Sequence, residues 1–236
     1  MINTNYAEIP IQECGEPLID LSGYPFLLEP TQFRKGFTKN PQLWLRQTMA
    51  TKLQNAQQDF LEPKGLCFKI FDAWRPRDVQ NKVYAACWNE ISQKNPEWNE
   101  ADVDAAAAQY VINGHEENRV PPHTTGGAVD LTLARSATGE ALDIGSAYCE
   151  WTNRGPGSPD AAPETVENHR LLLIACQTAG LVQDRAQWWH FDFGNQKWAA
   201  LNGFGTAIYG EVTEGMGFLR KGAALGHGAA LPYEMR

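Results

Sequence analysis

A chain of 236 residues with 43% hydrophobic content is long enough for one compact domain with a sizeable core. A formal charge of −8 and a pI near 5.2 argue against nucleic acid or anionic membrane as the main partner, because both require clustered Lys and Arg. No apolar run approaches the roughly 18 residues of a membrane span, and MINTNYAEIP lacks the basic start and apolar core of a secretory signal, so a cytoplasmic protein acting on a small molecule is expected.

Residues 1–30 are punctuated by Pro10, Pro17, Pro25 and Pro30 and read as an extended wrapping segment. From Pro41 to Phe60 the apolar residues Leu45, Met49, Leu53, Ala56 and Phe60 recur every three or four positions, which predicts a helix begun near Pro41. Gly65 opens a predicted strand, Leu66 to Phe71, that delivers Asp72-Ala-Trp-Arg75-Pro76 to its end. Pro76 then suits the first turn of a helix with Val79, Val83 and Ala86 or Cys87 on one face. The alanine-rich stretch Glu100 to Ile112 predicts another helix, stopped at Asn113-Gly114.

Next comes His123-Thr-Thr-Gly-Gly-Ala-Val-Asp130, an imidazole and a carboxylate seven residues apart around a glycine turn. Gly126-Gly127 make a helix through this stretch improbable, and Ala128 to Leu133 alternates as a strand does. Residues 152–163 are loop by composition, Pro163 to Gly180 reads as a helix, and Gln187 to Phe193 as a β-rich segment. Residues 1–212 are taken as one domain and the glycine-rich residues 213–236 as a tail or surface loop.

Zinc favours imidazole nitrogen and carboxylate oxygen, and a catalytic site needs three protein ligands with a fourth position open. His123, Asp130 and His190, in Gln187-Trp-Trp-His190, meet that need. Taken singly, His190 beside two tryptophans more often reads as a buried structural histidine than as a ligand, and it is the short motif that favours the ligand. His115 lacks the second histidine of a metalloprotease helix, His169 reads as surface and His227 falls in the tail, so none of these is favoured as a ligand. Arg75 sits at a strand-to-helix junction, where an ion pair with Asp72 is the structural alternative to a role in a site. The five cysteines, Cys14, Cys67, Cys87, Cys149 and Cys176, form no C-x-x-C pair, and an odd count fits reduced thiols.

The pattern His123-x-x-Gly126-x-Ala128-x-Asp130, with Trp188-Trp189-His190, Asp72-x-x-Arg75-Pro76 and Leu142 to Ser146 in the same order, resembles the zinc D-alanyl-D-alanine dipeptidases, the VanX-like family, over roughly residues 8 to 212. The resemblance implies a single α+β domain, with helices packed on a mainly antiparallel sheet whose strands present the ligands. It further implies one Zn²⁺ held by His123, Asp130 and His190, a short peptide or amino-acid-like substrate, and Arg75 stabilising the oxyanion formed when water attacks the peptide carbonyl.

Two positions depart from that family. Gln187 stands where the resemblance places an acid/base glutamate, and a neutral amide cannot accept or deliver that proton. Cys149, followed by Glu150, stands where the family has an aspartate for the substrate's ammonium. Pro121-Pro122 also lack hydroxyls for a substrate carboxylate. A zinc dipeptidase with impaired or altered activity, and a diverged, non-hydrolytic zinc-site protein, are therefore the two expectations. Asp184 and Asp192 are weak substitutes for the missing base: Asp184 reads as a solvated turn residue and Asp192 as a partner of His190.

Overall fold

A computed structural model describes residues 6–150, 158, 160–212 and 217–219. Most of the expected loop 152–163 and of the 213–236 segment, His227 included, lies outside the described residues. In chain order the strands are β1 (Leu18–Asp20), β2 (Leu27–Leu28), β3 (Trp44–Arg46), β4 (Leu66–Asp72), β5 (Ala128–Arg135), β6 (Val182–Gln183), β7 (His190–Asp192) and β8 (Phe218–Leu219). The helices are α1 (Thr31–Arg34), α2 (Gln47–Ala56), α3 (Arg77–Lys94), α4 (Glu100–Ala107), α5 (Pro163–Thr178) and α6 (Gln196–Asn202).

The main sheet runs β2-β4-β5-β7-β6, antiparallel except where β2 pairs parallel with β4. A smaller sheet runs β3-β1-β8. Helices α2 and α5 pack Met49, Leu53, Leu172, Ala175 and Cys176 onto Phe68 and Ile70 of β4, Val129, Leu131 and Leu133 of β5, and Phe191 of β7. This is a single α+β domain with a mainly antiparallel sheet.

Strand periodicity then decides which residues are available for chemistry. With Val129, Leu131 and Phe191 turned to the core, the period of two sends Asp130, His190 and Asp192 to the opposite face. Asp72 joins them through an irregularity: the β4–β5 register pairs Ile70 with Leu131 but Asp72 with Asp130, so a bulge at Phe71 flips Asp72 off the core side. Asp72, Asp130 and His190 therefore lie in one row across three adjacent strands.

Several elements differ from the sequence expectation. Trp44–Arg46 pair with β1, so the 41–60 helix starts only at Gln47 and Pro41 precedes a strand instead of opening a helix. The stripe of Met49, Leu53 and Ala56 is buried as expected, and the last turn, Gln57–Leu61, widens to a π-helix. Helix α4 stops at Ala107, and the chain leaves it in a tight turn that buries Val111 against the α3–α4 contact. The wrapping segment contains β1 and β2, and residues 217–219 of the expected tail pair in part with β1. No helix among the described residues is long and apolar enough to cross a membrane.

The glycine pair before β5 is required by contact as well as by backbone angle. Gly126 has φ of 71°, and a Cβ on Gly127 would sit 2.4 Å from the Phe193 carbonyl oxygen and 2.8 Å from the Tyr209 ring. A backbone carbonyl cannot yield as a flexible side chain can. Gly127→Ala is expected to cost about 1–3 kcal/mol by overpacking, or roughly 2–12 °C of melting temperature for a chain of this size; an unchanged melt would contradict this contact.

Candidate metal centre

His123 lies in the 3-10 turn Pro122–Thr125 just before β5, and the Gly126 reversal brings its ring back over the strand that carries Asp130. Arg46 holds that turn from behind. Its fully buried guanidinium donates to the Thr125 carbonyl at 2.7 Å and, at 3.0 Å through two nitrogens, to both oxygens of Glu13 in the wrapping segment.

The hydrogen bonds around the two imidazoles fix their tautomers. His123 Nδ1 stands 2.6 Å from the Ala73 carbonyl, which can only accept, so Nδ1 carries the proton and Nε2 presents a lone pair. His190 Nε2 stands 3.1 Å from Asp192 Oδ1, a carboxylate that also accepts from Asn195 at 2.7 Å, so the lone pair of His190 is on Nδ1. Those two nitrogens are 3.1 Å apart, and Asp130 Oδ1 is 3.2 Å from the first and 3.0 Å from the second. Three buried lone pairs converging without a donor between them repel one another. Ligands 2.0–2.1 Å from a tetrahedral zinc ion stand about 3.3 Å apart, so the donor set and its spacing fit that ion.

Without a metal, a proton is the alternative occupant. Burial lowers the His190 pKa, but the Asp192 and Asp130 carboxylates outweigh it and raise the value to about 10. Burial alone would raise Asp130, yet His123 and His190 hold it well below the usual carboxylate range. A group with a raised pKa is protonated below about 10, so near pH 7.5 the metal must displace a proton from His190. Zinc uptake by metal-stripped protein is expected to release about one proton there and to tighten as pH rises. Calorimetry in two buffers of different ionisation enthalpy checks this, and identical apparent enthalpies would contradict it.

The other oxygen of Asp130 accepts from Tyr148 Oη at 2.8 Å, and Arg75 Nη2 lies 4.0 Å from it. Arg75 is buried, with Nε 3.4 Å from Asp72, and its Nε and Nη1 have no hydrogen-bond partner among the described residues. Burial works against its charge, but Asp72 and Asp130 hold it protonated. It pairs with Asp72 and also lines a cavity of about 70 Å³ with the histidines and Asp130.

Gln187 lines the same cavity, and both ends of its amide are engaged. Nε2 donates to the Tyr110 carbonyl at 2.7 Å, while Oε1 accepts from Trp189 Nε1 at 3.0 Å. Cys149 also lines it, at a positive φ of 61°, with its thiol pushed up to about 11 chiefly by burial and therefore neutral at pH 7. Glu150 does not reach this cavity wall. Its carboxylate accepts from the Ala147 amide at 3.0 Å, and the residue lines a separate groove with Trp188.

Asp184 corrects an expectation: it is largely buried on the cavity wall and paired with Lys197, whose pKa is pushed down to about 8 by burial and by Arg119. Tyr6, Tyr110 and Tyr148 were not singled out by the sequence. They reach the cavity from a single 3-10 turn, a helix exit and a loop, where no periodicity marks them.

Two imidazoles and a carboxylate, oriented from behind by a carbonyl, a carboxylate and a tyrosine and faced by an arginine, form a candidate metal centre whose donor set suits a metallopeptidase. Residues 33–204 match the family model described as D-ala-D-ala dipeptidase, and the chain belongs to that family. A D-alanyl-D-alanine dipeptidase of Synechocystis is 29% identical over 221 residues, 82% of this chain and 88% of the relative. The Escherichia coli enzyme of the same description is 32% identical over 129 residues, 54% of this chain and 55% of its own. Among solved structures, VanYB in complex with D-Alanine-D-Alanine has 14% identity and a TM-score of 0.44 over 69% of this chain and 80% of that one.

Proposed function

We propose that this chain is a zinc-dependent dipeptidase that hydrolyses a short peptide of the D-Ala-D-Ala type, with His123, Asp130 and His190 as the ligands of one zinc ion. The observation that carries the reading is the convergence of three tautomer-fixed lone pairs 3.0–3.2 Å apart in a buried cavity. A zinc ion there would supply Lewis acidity, lowering the pKa of water and polarising a carbonyl.

The chain's own groups supply the rest. Arg75 lines the cavity with a guanidinium that Asp72 and Asp130 hold protonated, where negative charge develops on the scissile carbonyl oxygen. Tyr148 and Asp192 keep Asp130 and His190 in their ligating orientations. Gln187 occupies the acid/base position without the ability to take a proton, so the parent chain is a slow hydrolase. The neutral Cys149 offers no anion to a substrate ammonium, and Asp184 is the remaining carboxylate among the cavity-lining residues outside the ligand set.

The engagement of both ends of the Gln187 amide favours a second reading, a diverged zinc-site protein that binds an amino-acid-like ligand without cleaving it. Turnover of a panel of L,L-, D,D- and mixed dipeptides by the zinc-loaded Gln187→Glu variant separates the two. D,D-cleavage supports the dipeptidase; no cleavage of any member leaves the binding protein. The substrate is a small molecule met in the cytoplasm, with neither nucleic acid nor membrane as partner.

A further inference from the structure

A second cavity, of about 170 Å³, lies on another side of Arg75, lined by Gln32, Trp44, Asp72, Trp74 and Arg75 among others. Its polar atoms are buried and incompletely used. Gln32 Nε2 donates to Asp72 Oδ2 at 2.8 Å, which fixes the amide's orientation and leaves Gln32 Oε1 as an acceptor with no partner among the described residues. Trp44 Nε1 and Arg75 Nη1 are buried donors without a hydrogen-bond partner among the described residues, and Arg75 Nε has only its 3.4 Å ion pair with Asp72. Gln32, Trp44 and Arg75 are each more than nine-tenths buried. An orphaned buried donor or acceptor carries a desolvation cost that a matching ligand group removes.

The two kinds of orphan differ in what they demand. Trp44 and Arg75 require an acceptor, best an anionic one that matches the guanidinium. Gln32 Oε1, beside the Asp72 carboxylate, requires a donor, best a cationic one. We propose that this cavity binds a small free amino acid, its carboxylate on Arg75 and Trp44 Nε1 and its ammonium on Gln32 Oε1 and Asp72. The cavity has room for a small amino acid such as glycine or alanine. Because Arg75 also lines the metal cavity, occupancy here bears on the guanidinium used there.

The test is calorimetric titration of glycine into the full chain stripped of metal by a chelator, so its outcome does not depend on the peptidase reading. Saturable binding is expected, weakened at least tenfold in Trp44→Phe, which keeps a ring against Phe218 but deletes the N–H, and at least tenfold in Gln32→Leu, with both variants matched to the parent in melting temperature. Acetate and methylammonium, each half of the zwitterion, should each bind at least tenfold more weakly than glycine. Binding should survive His190→Ala. Absence of saturable binding would overturn the proposal, since water then fills the cavity. Binding lost in His190→Ala but unchanged in Trp44→Phe would equally overturn it, by moving the amino acid to the metal cavity.

Discussion

Replacing Gln187 with glutamate is expected to raise dipeptide turnover by at least about a hundredfold at matched zinc content. A general acid/base contributes about 10² to 10⁴ in rate, equivalent to roughly 3–5 kcal/mol of barrier. The surroundings favour such a gain. A glutamate at 187 can still accept from Trp189 Nε1, as the amide oxygen does at 3.0 Å. Its second oxygen would face the Tyr110 carbonyl, now 2.7 Å from the amide nitrogen, and two acceptors at that distance repel. That oxygen therefore turns toward the cavity, where a proton acceptor is needed, and the 108–112 wall loses a tether. The measurement is kcat on D-Ala-D-Ala for parent and variant. An unchanged rate across all dipeptides would show that the centre binds without cleaving.

In the Gln187→Glu background, Arg75→Ala is expected to lower kcat by a further 10²- to 10³-fold, about 3–4 kcal/mol, the usual loss when a preorganised donor to a developing oxyanion is removed. Zinc should stay bound, because Arg75 stands 4.0 Å from the Asp130 oxygen that does not face the histidines. Arg75→Lys should restore little: an ammonium is a point charge and cannot present the fixed fork of a guanidinium. A kcat that survives Arg75→Ala would reduce this residue to the Asp72 ion pair that the sequence alone also allowed.

The parts of this molecule that are legible in sequence are those encoded by local patterns. The alternation from Ala128 and the short spacing through Gly126-Gly127 put Asp130 on a strand and His123 on a turn, and both are where the chain places them. Helix α3 follows Pro76 and α5 opens at Pro163, for the same local reasons. What escaped is set by partners distant in sequence. Trp44–Arg46 carries a helical apolar spacing yet becomes a strand, because β1, some two dozen residues earlier, offers a pairing edge. The bulge that turns Asp72 toward Asp130 exists only in the β4–β5 register. Tyr148 and the Tyr110 carbonyl act on the site through single hydrogen bonds from irregular chain, for which sequence has no periodic signal.

The centre itself has physical consequences beyond catalysis. Asp130 and the two histidines form a cluster that is buried and incompletely paired unless a cation or a proton occupies it, so a bound metal would add to stability as well. Arg46 ties the same turn to the N-terminal segment: its hydrogen bonds link Glu13 to the carbonyl of Thr125, two residues after His123.

The most direct test of the account is the zinc content of the purified chain beside that of His123→Ala, by elemental analysis after exhaustive dialysis. One zinc per parent chain and a fall to near zero in the variant, with the fold retained by circular dichroism, is the predicted result. A parent without stoichiometric zinc even after loading, or a variant that holds as much as the parent, would contradict the metal centre and every step that depends on it.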